Sequence, residues 1–294
     1  MSQDMGDVAS ATVRRWQLTE SLRQLREQAG LTMTEAAEKL KHQPGKWSRS
    51  KLQRIETRDQ GVKAREVEQL LDLYEVADAD LRNWLLGLAS TASERGYWLS
   101  FQRELPQDFH AVLNIEAELV AQRQFETMVV PGLLQTQDWA RAVMAGGSPG
   151  VAADVIERRV LARIARQQIL TKQHPMKLHA IIEEAVLERP IGTNPVMRRQ
   201  LERLLDEGKK EHITIQVLPM TAGASPAVDG PFAILSLPDP VPDFGLAEAP
   251  GRMVYIEDRD AVREYTLRFG ILTERALSPA KSAERLAQAA RKYS

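Results

Sequence analysis

Between about Thr19 and Ala89 the apolar positions recur every three or four residues, the period of helices buried along one side. Leu22, Leu25, Arg26 and Ala29 share one face of a first helix, and Gly30 stands where that helix should stop. Thr32-Met33-Thr34-Glu35 has the form of a capping box, in which a hydroxyl meets an orphan N–H and a glutamate reaches back. Ala36, Ala37 and Leu40 follow on the inner face, and His42–Lys46 is a turn carrying Pro44 and Gly45. Ser48 can cap a third helix that turns Leu52 and Ile55 inward. A fourth, over about Ala64–Tyr74, buries Val67, Leu70, Leu71 and Tyr74, and a fifth from about Asp78 buries Leu81, Trp84, Leu85 and Leu88.

After about residue 113 helical stretches (Gln135–Ala145, Ala152–Lys172, Pro195–Gly208) alternate with short apolar runs. Met176–Ile182, Ile213–Pro219, Phe232–Leu237 and Met253–Ile256 are bounded by Gly, Pro or Asp and predict strands. Met220–Pro231 and Pro238–Pro250 predict loops, and Leu277–Tyr293 a closing amphipathic helix. The expected fold is α+β: a flexible N-terminus over 1–17, an all-α domain of five helices over 18–89, a connector over 90–112, and a mixed α/β domain over 113–294. Tyr97 and Trp98 in the connector are expected to pack against one of the domains.

Composition narrows the chemistry. An apolar fraction of 43% supports a sizeable core, and the net charge of −1 means that any contact with nucleic acid must come from a local patch. The absence of cysteine excludes disulfides and thiolate metal sites, and the five histidines show no ligand spacing, so neither metal nor cofactor is expected. The acidic N-terminus has no signal-peptide form and no apolar run is long enough to span a bilayer, so the chain reads as cytoplasmic and not membrane-bound. There is no P-loop or G-x-G-x-x-G, and Ser225 lacks a G-x-S-x-G frame, so an enzyme is not expected.

One stretch breaks the neutrality. From Lys39 to Arg58 seven residues are basic and one, Glu56, is acidic. A helix-turn-helix needs small residues where its two helices cross, a sharp turn, apolar anchors on the second helix and donors on that helix's outer face. Ala36 and Ala37, Pro44-Gly45, Leu52 and Ile55, and the set Arg49, Ser50, Lys51, Gln53 and Arg54 supply these in order. The ordinary alternative for a basic helix is a solvated face. The capping box and the turn favour a DNA-reading helix over about Ser48–Glu56, with Lys46, Lys51 and Arg58 on phosphates.

The run Leu22-Arg23-x-x-Arg26-x-x-x-Gly30-Leu31-Thr32, followed by Glu35-x-Ala37 and Ser48-x-Ser50-Lys51-Leu52-x-Arg54-Ile55-Glu56, resembles the xenobiotic-response-element-type, lambda-repressor-like helix-turn-helix. The resemblance implies base reading by Arg49, Ser50 and Arg54, phosphate contact by Thr32, Ser48 and Lys51, and a structural ion pair between Arg26 and Glu56. Two features depart from that pattern: the turn Lys41–Trp47 is longer, and Met33 stands where a glutamine is common. Farther on, Val130-Pro131-Gly-Leu-Leu-Gln-Thr136, Ile182-Glu-Glu184-x-x-Leu187, Ile215-Gln-Val-Leu-Pro219, Gly230-Pro-Phe232 and Val254-Tyr-Ile-Glu257 resemble the C-terminal domain of the WhiJ-like regulators of actinobacteria. That resemblance implies a regulator, often with a small partner protein.

The expected partners are double-stranded DNA, a second copy in a homodimer, and either a small-molecule effector or a small protein. Gln135, Thr136, Glu184, Tyr255 and Glu257 are candidates for an effector pocket, although each has an ordinary structural role open to it: capping, bracing a turn or ending a strand. Arg158, Arg159, Arg163 and Arg166 repeat at helical spacing, as a solvated or ion-paired stripe, an anionic-ligand site or a second DNA-facing surface.

Overall fold

A computed structural model describes residues 11–91, 116, 118–226, 228–249 and 252–293. The aromatic pair Tyr97 and Trp98 lies outside these. The chain divides into two compact units, a helical one and one built on a sheet.

The helical unit consists of α1 (Ala11–Gln28), α2 (Met33–Lys39), α3 (Arg49–Glu56), α4 (Ala64–Leu73) and α5 (Ala79–Thr91). Gly30 terminates α1 in the left-handed region at φ 68°, where a β-carbon would be strained, and the Leu31 N–H closes the end by donating to the Arg26 carbonyl at 3.1 Å. Thr32 caps α2 with both halves of the capping box formed, and the Ser48 hydroxyl caps α3 by accepting from the Lys51 N–H at 3.1 Å. Leu18, Leu22, Ala36, Leu52, Ile55 and Leu71 form the centre of one core, to which every helix of the unit contributes.

Two expectations for this unit change. α1 starts at Ala11, inside the stretch expected to be flexible; Arg14 and Gln17 are buried in its first turns, so the segment is held by packing that its polar composition hid. Trp84, expected to be buried, is 40% exposed, because Leu81, Leu85 and Leu88 define the inner stripe of α5 and Trp84 falls on its flank.

The second unit is a six-stranded mixed sheet in the order β3-β2-β1-β4-β5-β6. Its strands are β1 (Ala121–Glu126), β2 (Lys177–Glu183), β3 (Ile213–Leu218), β4 (Phe232–Ser236), β5 (Phe244–Ala249) and β6 (Arg252–Ile256). β1, β2 and β3 are parallel, and helices carry the chain between them: α6 (Gln137–Gly147) and α7 (Ala153–Arg166), then α8 (Glu184–Glu188) and α9 (Asn194–Glu207). β4 returns antiparallel to β1, and β5 and β6 extend the meander. α10 (Arg259–Arg275) packs Phe269 and Leu272 on one face of the sheet, against Phe125, Ile181 and Phe232. α11 (Pro279–Lys292) closes the chain; its Ser282 hydroxyl accepts from the Val217 N–H of the outer strand β3 at 2.9 Å. This is the α+β architecture that the sequence predicts.

Two strands depart from expectation. β5 lies inside Pro238–Pro250, expected to be a loop; Phe244 and Leu246 anchor it between β4 and β6 despite the prolines around it. β1 is central yet was not anticipated, because one of its faces carries Gln122, Gln124 and Glu126. α10 was also not picked out, and its exposed Leu267 and Ile271 blur its amphipathic pattern. Among the described residues no helix is long and apolar enough to cross a membrane, and no cluster of His, Asp and Glu is placed to hold a metal.

Candidate functional site

The helical unit fixes α3 by its inner face. Leu52 and Ile55 are each 1% exposed, and between them they tie the helix to the core. Glu56 receives a bidentate pair from Arg26, Nε to Oε1 at 2.7 Å and Nη2 to Oε2 at 2.8 Å, while Arg26 Nη1 donates to the Leu31 carbonyl at 2.7 Å. One arginine thus locks the last turn of α3 to α1 and to the entry of α2, through hydrogen bonds strengthened by its charge and, at Glu56, by the charge of both partners.

The outer face is left to solvent. Arg49, Ser50, Gln53 and Arg54 are exposed, as are Lys46 in the turn and Lys39 and Lys41 beside it. Among the described residues Arg49 and Lys46 form no ion pair or side-chain hydrogen bond. Arg54 is steadied by two hydrogen bonds: its Nε donates to Gln60 Oε1 at 3.1 Å and its Nη1 to the Ser50 hydroxyl at 3.3 Å. Gln60 was not anticipated, since it lies past the end of α3 and only the turn brings it back.

Two expected phosphate contacts are corrected. Lys51 is buried; its ammonium donates to the Gly45 carbonyl and to Glu66 Oε1, both at 2.5 Å, and sits 4.5 Å above the Trp47 ring. A buried ammonium must be paired, so this lysine latches the long turn to α4. Trp47 completes the latch, its Nε1 donating to Gln69 Oε1 at 2.9 Å. Arg58, just past α3, is half-buried with its guanidinium 4.7 Å over the Trp16 ring. Thr32 and Ser48 are exposed at the N-termini of α2 and α3, but both hydroxyls are engaged in capping, and that of Thr32 also donates to Glu35 Oε2 at 2.7 Å.

The latch has a pH signature. Burial pushes the Glu66 carboxyl up, but the hydrogen bonds it accepts from Lys51 and from the Lys63 N–H outweigh this and hold it below the ordinary carboxylate range. A depressed folded value means that the contribution is complete above the unfolded value of about 4.3 and is lost as pH falls through the lower, folded one. Glu66→Gln is therefore expected to cost about 1–3 kcal/mol at pH 7. Urea titrations at pH 7 and in acid should show that gap closing; a gap that persists undiminished in acid would place the stabilisation elsewhere.

In the second unit the candidate residues separate. Gln135, 1% exposed, spans the turn before α6: its Nε2 donates to the Val130 carbonyl at 2.7 Å and its Oε1 accepts from Arg163 Nη1 at 2.8 Å. The Thr136 hydroxyl caps α6 while its N–H donates to Gln200 Oε1 at 2.7 Å. Glu184 is taken by Arg285 at 2.5 Å and by the Met220 N–H at 2.8 Å, so it is a structural hub and not a pocket residue. Gln135 and Tyr255 line one cavity, whereas Thr136, Glu184 and Glu257 do not. The arginine stripe of α7 also divides: Arg158 pairs with Asp154 at the surface, and Arg163 and Arg166 face the cavity.

Residues 17–85 match the family model of a helix-turn-helix domain, and residues 109–288 match that of a domain of unknown function, DUF5753. No curated protein and no solved structure gives a significant match to the chain.

Proposed function

The chain belongs to the family defined by the domain of unknown function DUF5753, here preceded by a helix-turn-helix domain, and we propose that it is a sequence-specific DNA-binding transcriptional regulator. The observation that carries this reading is the division of α3 by face. Its inner side is locked by Leu52, Ile55 and Glu56, and its outer side presents Arg49, Ser50, Gln53 and Arg54 to solvent within the basic stretch. Arg49 and Arg54 donate to guanine edges in the major groove, Ser50 and Gln53 adjust to neighbouring bases, and Lys46 holds a phosphate. The helix-turn-helix is of the xenobiotic-response-element type, and the whole chain is a WhiJ-like actinobacterial regulator that works in the cytoplasm as a homodimer.

The second unit serves dimerisation and sensing. A second reading, in which it docks a small protein, draws on Leu267 and Ile271, which stand exposed one turn apart on α10. A stoichiometric small protein in the purified complex would favour that reading.

Genome-wide mapping of bound sites tests the proposal. A dimer places two reading helices about one helical turn, roughly 34 Å, apart. The expected sites are inverted repeats with half-site centres spaced accordingly. Occupancy without any shared sequence would count against specific reading.

A further inference from the structure

One face of β1 is chemically out of place. The strand lies in the middle of the sheet, between β2 and β4, where buried faces are ordinarily apolar. Yet Gln122, Gln124 and Glu126 follow one another along one side of it, Gln122 at 7% exposure and Glu126 at 4%. They form a ladder: Gln122 Nε2 donates to Gln124 Oε1 at 2.7 Å, and Gln124 Nε2 donates to Glu126 Oε1 at 2.6 Å. Pairing along the ladder uses one N–H of each primary amide and leaves the other, and among the described residues the Gln122 carbonyl accepts no hydrogen bond.

This ladder faces a cavity of about 280 Å³, near the lower end of the range for ligand sites. The register of the sheet lays out its floor: Gln124 pairs with Ala233, Ala233 with Leu246, and Leu246 with Tyr255, so a row running from β1 to β6 passes from amide to apolar to phenol. Arg163 and Arg166 line it from α7. The charges balance. Glu116 and Glu126 stand against the two arginines, and Arg166 is held by Glu116 in two hydrogen bonds at 2.5 and 2.6 Å. A net anion or cation entering here would meet guanidinium and carboxylate groups already matched in number. Beside these matched charges, the neutral amides of Gln122 and Gln124 keep N–H groups that the ladder does not use.

We propose that this cavity binds a small, net-uncharged amide or lactam, whose donor and acceptor meet Gln122 and Gln124 while its apolar part lies on Leu246 and Val143. The inference rests on reading the second unit as the sensing part of the regulator, and it does not depend on DNA binding by the first. The buried amides cost free energy that the ladder only partly offsets, and a ligand with a matching edge recovers the rest.

Three isosteric probes test it: benzamide, benzoate and benzamidine, titrated by saturation-transfer NMR into the full chain without DNA. Benzamide is expected to bind about tenfold more tightly than either charged probe. Gln124→Leu, which removes the middle of the ladder, should weaken benzamide by about tenfold, and Ala233→Leu, which fills the floor, should abolish its binding. Equal binding of all three probes, binding of none, or benzamide binding that survives both substitutions would overturn the proposal. Circular dichroism shows whether each variant folds; if neither does, the ranking of probes on the unsubstituted chain decides. Because no DNA is present, failure here leaves the reading of α3 untouched, and failure of DNA binding leaves this result standing.

Discussion

Glu56→Ala is expected to destabilise the helical unit by about 3–5 kcal/mol, the largest effect of any single change considered. The magnitude follows from what remains. Arg26 has a side-chain exposure of only 9%, and without Glu56 its guanidinium, removed from water, keeps one hydrogen bond, to the Leu31 carbonyl, and a 3.6 Å contact with half-exposed Glu27. Against a typical domain stability of about 5–15 kcal/mol, such a loss leaves a sizeable unfolded fraction near 37 °C. DNA affinity should fall with it, since this pair clamps the last turn of α3 to α1. Replacing both partners by apolar residues, Arg26→Met with Glu56→Leu, should recover much of the loss, because no orphaned charge is then left. Urea denaturation of the single and double variants measures this. A loss of less than about 1 kcal/mol for Glu56→Ala would mean that the pair behaves like a surface salt bridge.

The second large effect concerns reading. Arg49→Ala and Arg54→Ala should each weaken specific binding by about 1–3 kcal/mol and relax the preference at one base position. Gln60 and Ser50 both accept from the Arg54 guanidinium, so part of the entropy of ordering it is already spent before DNA arrives. Gln60→Ala should therefore show a smaller loss in the same direction. Lys46→Ala should weaken all sequences alike and flatten the salt dependence by about one counterion. Lys51 should not do this, because its ammonium is turned inward to Gly45 and Glu66.

Local signals in the sequence were sufficient for much of this unit. The Thr32 capping box, the Ser48 cap, the Gly30 stop and the Leu52 and Ile55 anchors each depend on residues within four or five positions of one another. The Arg26–Glu56 pair spans 30 positions and came from resemblance, supported by the physical need of two charges on inner faces. The burial of Lys51 runs against its charge but follows its spacing. This lysine stands four residues before Ile55 and four after Trp47, on the inner stripe, but its charge argued for solvent. Its partner Glu66 comes 15 positions later, beyond any local pattern. Arg58 likewise finds its ring at Trp16, on another helix.

The second unit is less legible because its strand β1 violates the rule by which strands are recognised. β1 alternates, but the alternation sets glutamine and glutamate on a buried face, and the polarity that hid the strand is the same polarity that lines the cavity. Gln135 and Tyr255, candidates on sequence grounds, line this cavity. Glu184, chosen with them, turned out to be held by Arg285, 101 positions away, which no spacing could have revealed.

The most direct measurement of whether α3 reads DNA is a binding titration on a site recovered by genome-wide mapping, with base substitutions across one half-site. It compares the unsubstituted chain with Arg49→Ala, Arg54→Ala and Lys51→Met at several salt concentrations. The expected result is that each arginine variant loses affinity and tolerates change at a different base pair. Lys51→Met, once shown by circular dichroism to be folded, should keep both the sequence preference and the salt slope. If both arginine variants bound the site with unchanged affinity and unchanged preference, the outer face of α3 would not be the reading surface.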